Sequence, residues 1–137
     1  MIDKNFRSGR RKAYAAWRFT EAGREWVEIL RRKQSNLCFI CLLPLGLAVH
    51  IDHILPVFEG GTNNAKNLSL THARCNMSKG AQVILGKQEV AYRRQLLHEV
   101  KEGVRLYRMV KTSSFRPKRH HLRKIDLASQ YVDLTKG

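Results

Sequence analysis

Cys38-Phe39-Ile40-Cys41 sets two thiols three residues apart, a spacing at which one turn of chain aims both sulfurs at a single point. His72-Ala73-Arg74-Cys75 repeats that spacing after 30 intervening residues, with an imidazole in place of one thiolate. Zinc takes four ligands at tetrahedral corners, so Cys38, Cys41, His72 and Cys75 together amount to a closed Cys3His site for a structural Zn2+. A solitary C-x-x-C is equally the pattern of a redox pair or of two buried thiols, and the matched second half is what points to metal. His50 is a competing ligand, disfavoured by its place inside a strand. The chain has only three cysteines, and an odd number argues against a disulfide framework and for a reducing, cytoplasmic setting.

Between the half-sites runs His50-Ile51-Asp52-His53-Ile54-Leu55-Pro56. Adjacent Asp and His at a strand end combine a hard oxygen ligand for a divalent cation with a base that titrates near neutrality, the two things hydrolysis needs. An isolated Asp-His pair is most often merely solvated. Here Asn76 directly follows the last zinc ligand, so zinc would hold the helix carrying Asn76 beside the strand carrying Asp52. His50 shares a strand face with Asp52 and is expected near the cation or a phosphate.

Positioning these groups requires a small set of elements. Residues 13–33 read as helix in one or two pieces, with Gly23 as a possible break and Trp17, Trp26, Ile29 and Leu30 as an apolar face. The cysteines, Pro44 and Gly46 mark a knuckle. Strands are expected over residues 49–54 and 67–71, separated by the turn-rich segment 59–64, and a short helix over Ala73–Lys79 stopped by Gly80. Val83, Val90, Leu97 and Val104 recur every seven residues, with Leu96, Val100 and Tyr107 alongside, which predicts a long amphipathic helix weakened by Gly86 and Gly103. Thr112-Ser113-Ser114 reads as a linker, and the tract 115–124 is basic with no acidic residue.

The chain is 137 residues with 26 Lys and Arg against 11 Asp and Glu, a net charge of +15. One domain with extensions fits that length, and a polyanion is the expected partner. Residues 1–33 carry 10 basic and 4 acidic side chains, residues 34–80 only 3 and 2, residues 81–110 carry 6 and 3, and residues 111–137 carry 7 and 2. The excess therefore lies in the flanks, which would grip while the neutral centre acts. The longest apolar stretch, Leu37 to Val49, is 13 residues broken by Pro44 and Gly46, too short for a membrane span. The opening MIDKNFRSGRRK has no apolar run behind its basic residues, so no secretory signal is expected.

Taken in order, Trp26, Cys38-x-x-Cys41, Asp52-His53-Ile54-x-Pro56, Gly60-Gly61, Asn67-Leu68-x-Leu70 and Cys75-Asn76-x-x-Lys79-Gly80 closely resemble the HNH endonuclease family over about residues 26–80. The resemblance implies an α+β chain built on the ββα-metal core, a hairpin and a helix around one catalytic ion, with a zinc knuckle and flanking helices. The expected organisation is a basic arm and helical segment at 1–33, the HNH core at 34–80, an amphipathic helix at 81–111 and a basic C-terminal tail at 112–137. Asp52 and Asn76 are implied as ligands of the catalytic cation, His53 as general base, and Asn67 as the middle Asn that holds the catalytic loop; Asn63 and Asn64 are less well placed for that part. His72 stands where many zinc-bearing members have Cys. Asn76 stands where some have His, and its hard amide oxygen favours Mg2+ or Mn2+.

The implied reaction is hydrolysis of a DNA phosphodiester, one strand per site, leaving 5′-phosphate and 3′-hydroxyl ends. DNA, double-stranded by expectation, is the partner, with no membrane involved and with a homodimer or larger assembly open. His50, Arg74, Lys79, Arg116, Lys118 and Arg119 are the expected contacts to nucleic acid. Two other readings are a non-catalytic zinc-stabilised binding module and a nuclease subunit of a larger assembly.

Overall fold

A computed structural model describes residues 20–79 and 85–136. The arm at 1–12, Trp17, Gly80 and Val83 lie outside the described residues, as does the side chain of Lys79.

Helix α1 spans Glu21–Lys33. Thr20 caps it, its Oγ1 accepting from the Gly23 N–H at 3.2 Å. Gly23 is thus part of the first turn and no break. Glu21 opens the helix and Arg31, Arg32 and Lys33 close it, charges that suit the two ends of the helix dipole. Leu30 is buried, whereas Ile29, expected on the same face, is 51% exposed because it sits one residue, about 100° of helical turn, from Leu30. Ser35 and Asn36 then take positive φ values of 54° and 57° and turn the chain out of the helix.

The knuckle that follows is held by its own backbone. Cys38 N–H donates to Leu43 O (2.8 Å) and Leu42 N–H to Cys38 O (2.9 Å), with Leu42 at φ 63°. Buried Gln34 fastens this region to the sheet, accepting from Leu70 N–H at 2.7 Å and donating to the carbonyls of Leu70 and Leu37 at 3.0 Å. A buried amide with its bonds made in this way locks the junction of helix, knuckle and strand.

Strands β1 (Val49–His53) and β2 (Leu68–His72) form an antiparallel pair in which His50 faces Thr71, Ile51 faces Leu70 and Asp52 faces Ser69. Against expectation, each strand is one residue shorter at the loop end of the hairpin, and β2 runs on to include His72. Asn67 belongs to a 3-10 turn, Ala65–Asn67, and its side chain serves the neighbouring loop. Ile51 and Leu70 fill one core with Leu30, Cys38 and Leu45. Helix α2, Ala73–Lys79, begins immediately after His72.

Helix α3 runs over Lys87–Thr112 with Gly86 as its N-cap, so Gly86 starts the helix instead of weakening it. Gly103 lies where α3 meets helix α4, Arg119–Ser129: a Cβ there would fall 2.1 Å from Lys124 O and 2.7 Å from Ala128 Cβ. The segment 112–137, read from sequence as a basic tail, therefore contains a helix packed on α3. Its apolar positions explain this: Ala128 is buried, and Leu127, Tyr131, Val132 and Leu134 pack with Leu96, Leu97 and Val100 in a second core that also holds Leu37 and Phe39. The chain is α+β, with helices on both sides of a two-stranded sheet in sequence.

Candidate metal centre and catalytic loop

The ligand atoms of Cys38, Cys41, His72 and Cys75 all lie within 4.8 Å of one another. Because β2 passes into α2 without a loop, His72 and Cys75 face the knuckle that carries Cys38 and Cys41. His72 Nδ1 is 3.3 Å from Cys41 Sγ and 3.8 Å from Cys75 Sγ. A tetrahedral ion at the usual zinc distances separates a nitrogen and a sulfur ligand by about 3.6 Å, so the set already has the right size. His72 Nε2 lies 2.8 Å from Pro44 O, to which it donates, and this leaves Nδ1 to face the sulfurs.

The electrostatics also call for a cation. Burial, together with the sulfurs of Cys41 and Cys38, pushes the Cys75 thiol up to about 12. Burial raises Cys38 as well, but hydrogen bonds from the backbone at Cys41, His72 and Ile40 outweigh it and leave that thiol more acidic than usual. Three sulfurs in one place cannot all ionise at neutral pH without a dication among them, and three thiols with one imidazole are the donor set that zinc fits.

His50 and Asp52 alternate onto the same face of β1, about 7 Å apart along the strand. Helix α2 reaches this face: Asn76 Nδ2 stands 3.1 Å from His50 Nδ1. With that nitrogen donating, the amide presents its oxygen on its other side. The cross-strand partners of Asp52 and His50 are Ser69 and Thr71, both buried, whose hydroxyl oxygens make no hydrogen bond among the described residues. A carboxylate and an amide oxygen beside two unsatisfied hydroxyls suit a hard divalent ion such as Mg2+ or Mn2+.

His53 closes β1, and its Nε2 lies 2.8 Å from Asn63 Oδ1. An amide oxygen only accepts, so Nε2 carries the proton and Nδ1 is the basic nitrogen of the neutral ring. The loop that brings Asn63 back is built on glycines. Gly60 has φ 94°, and a Cβ on Gly61 would fall 1.7 Å from Leu55 O. Asn67 clamps both sides of this loop, accepting from Leu55 N–H at 2.8 Å and donating to Leu55 O at 2.9 Å and Thr62 O at 2.8 Å. Arg74 is exposed on α2; Arg116, Lys118 and Arg119 are exposed before and at the start of α4, on elements other than those that form the site. Sequence reasoning weighs Asn63 only for the middle-Asn part and sets it aside, and so misses its contact with His53. Its signal is the Gly60-Gly61 turn, which returns the chain toward the strand end.

A zinc-sized cluster pins a ββα unit that carries Asp52-His53 on its first strand and Asn76 on its helix. Residues 35–82 match the HNH endonuclease family. No curated protein and no solved structure matches the chain. The HNH segment covers the knuckle, both strands and α2, while α1, α3 and α4 fall outside it. An HNH segment points to work on nucleic acids. Among the described residues, no helix is long and apolar enough to cross a membrane.

Proposed function

We propose that the chain is a metal-dependent endonuclease that hydrolyses DNA phosphodiesters, with Asp52 and Asn76 holding the catalytic cation and His53 acting as general base. The observation that carries this reading is the 3.1 Å contact between Asn76 on α2 and His50 on β1, which brings the helix over the strand face that Asp52 shares. A divalent cation bound there supplies charge neutralisation at the phosphate and at the departing oxygen.

The rest of the step belongs to the protein. His53, with Nε2–H given to Asn63, takes the proton of the attacking water on Nδ1 and returns to the neutral state by releasing it to solvent. Asn67 keeps the backbone on either side of the loop in place, so that the ring is presented in one orientation. The basic flanks hold the polyanion without choosing a sequence.

Nicking of supercoiled plasmid in Mg2+ or Mn2+ tests the reading. The wild type is expected to convert the plasmid to the open circle while His53→Ala retains binding and loses cleavage. If both proteins bind and neither cuts, the chain is a zinc-stabilised binding module instead.

A further inference from the structure

A cavity of about 360 Å3 opens between the C-terminal end of α1, the loop end of the hairpin and α3. Lys33, Lys66, Arg94, His98 and Lys101 stand around it, all exposed, and no carboxylate among the described residues lines it. Its floor is apolar: Phe39 and Leu97 are buried, and Ile54 and Leu68 are half-buried. Arg94, His98 and Lys101 recur at helical spacing on one face of α3. Glu89, Glu99 and Glu102 are instead engaged by Arg93, Gln95 and Arg105 on the same helix. Among the described residues the cavity lining itself thus carries no carboxylate, Glu102 near His98 being paired with Arg105.

The cavity adjoins the catalytic loop. Ile54 follows His53, and Lys66 precedes Asn67, whose side chain clamps that loop. Arg94 Nη2 donates to Lys66 O at 2.5 Å and so ties α3 to this corner. We infer that the cavity is a binding groove for the backbone of the DNA strand that the site cuts, phosphates on the cationic rim and deoxyribose against the apolar floor. The inference rests on the nuclease reading for the identity of the polyanion.

The dimensions suit that occupant. From Arg94 to Lys101 the helix advances about 10 Å, the axial length over which one DNA strand presents about three phosphates. An inorganic anion would use the rim and leave the apolar floor wet, whereas a sugar-phosphate chain uses both.

Salt dependence of binding reads this directly. A fluorescein-labelled DNA duplex is titrated with zinc-loaded protein, the catalytic cation omitted, over a series of salt concentrations. Replacing Lys33, Lys66 and Lys101 together by Gln should lower the slope of log affinity against log salt by about 2 to 3, near 0.9 for each phosphate no longer neutralised. A second variant with Lys87, Lys111 and Lys136 replaced by Gln removes the same charge from the flanks away from the cavity and should lower the slope by less than about 1, clearly less than the first. Circular dichroism and zinc content check that both variants are folded. An unchanged slope in the first variant, or an equal loss in the second, overturns the groove. The nuclease reading fails separately: wild type that binds with the groove-dependent slope yet never cuts would leave the groove standing, while cleavage with an unchanged slope in the first variant would leave only the nuclease.

Discussion

His50 and Asn76, 26 residues apart in the chain, meet through Nδ1 and Nδ2 at 3.1 Å. The amide of Asn76 therefore cannot rotate without losing a partner, and its oxygen stays on the side away from His50. On the proposed nuclease reading, His50 acts on the cation through Asn76, as a positioning residue. His50→Ala is expected to raise the Mg2+ concentration that gives half-maximal cleavage by about 10- to 100-fold. The maximal rate at saturating Mg2+ should change less. A variant with an unchanged Mg2+ profile would remove His50 from the site.

Asn63 is expected to set the orientation and tautomer of His53. Asn63→Ala should lower kcat on the order of 10- to 100-fold with KM little altered, since the base is still present but no longer aimed. Asn63→Asp keeps the acceptor and adds a negative charge, which favours the protonated ring. Its activity should partly recover, with the acidic limb of the pH profile moved to higher pH. A structural role alone would not move that limb.

Zinc should be a condition of folding in the HNH segment. Chelation is expected to abolish the cooperative thermal transition of this unit, and added Zn2+ to restore it. Because Cys75 is protonated at neutral pH both at its ordinary value of 9.0 and in the folded cluster, which pushes it up to about 12, zinc binding must displace protons. Affinity for Zn2+ should therefore rise with pH through the neutral range, with proton release visible by calorimetry in buffers of different ionisation enthalpy.

Gly103→Ala separates helix propensity from packing. In an isolated helix the change would stabilise by about 1 kcal/mol. Here the new methyl would lie 2.1 Å from Lys124 O, so α4 must shift away from α3. The expected result is a loss of about 1 to 3 kcal/mol, measured as a lowered thermal midpoint. A gain would show that α3 and α4 are not packed at this point.

What can be read from the chain follows the range of the interactions. The Cys3His set is legible because ligand pairs at i, i+3 are local, and Asn67 because its place before β2 is part of an ordered pattern. The contact of His53 with Asn63 depends on a loop whose glycine geometry is visible in sequence only as a turn. Gln34 reaches Leu70 across 36 residues, and no local spacing announces such a bond. Helix α4 is hidden by composition. The basic run over residues 116–124 masks the sparse apolar positions that end in Ala128 and Val132. The cationic face of α3 is likewise spread along an amphipathic pattern and becomes a groove only once the hairpin is set against it.

Whether one cation joins Asp52 to Asn76 is read most plainly from a crystal of the zinc-loaded protein grown with Mn2+, with anomalous scattering recorded to separate the two metals. Zinc is expected among Cys38, Cys41, His72 and Cys75, and a manganese peak within ligand distance of both an Asp52 carboxylate oxygen and Asn76 Oδ1. Manganese bound elsewhere, or Asp52 and Asn76 directed to different places with no ion between them, would contradict the nuclease site.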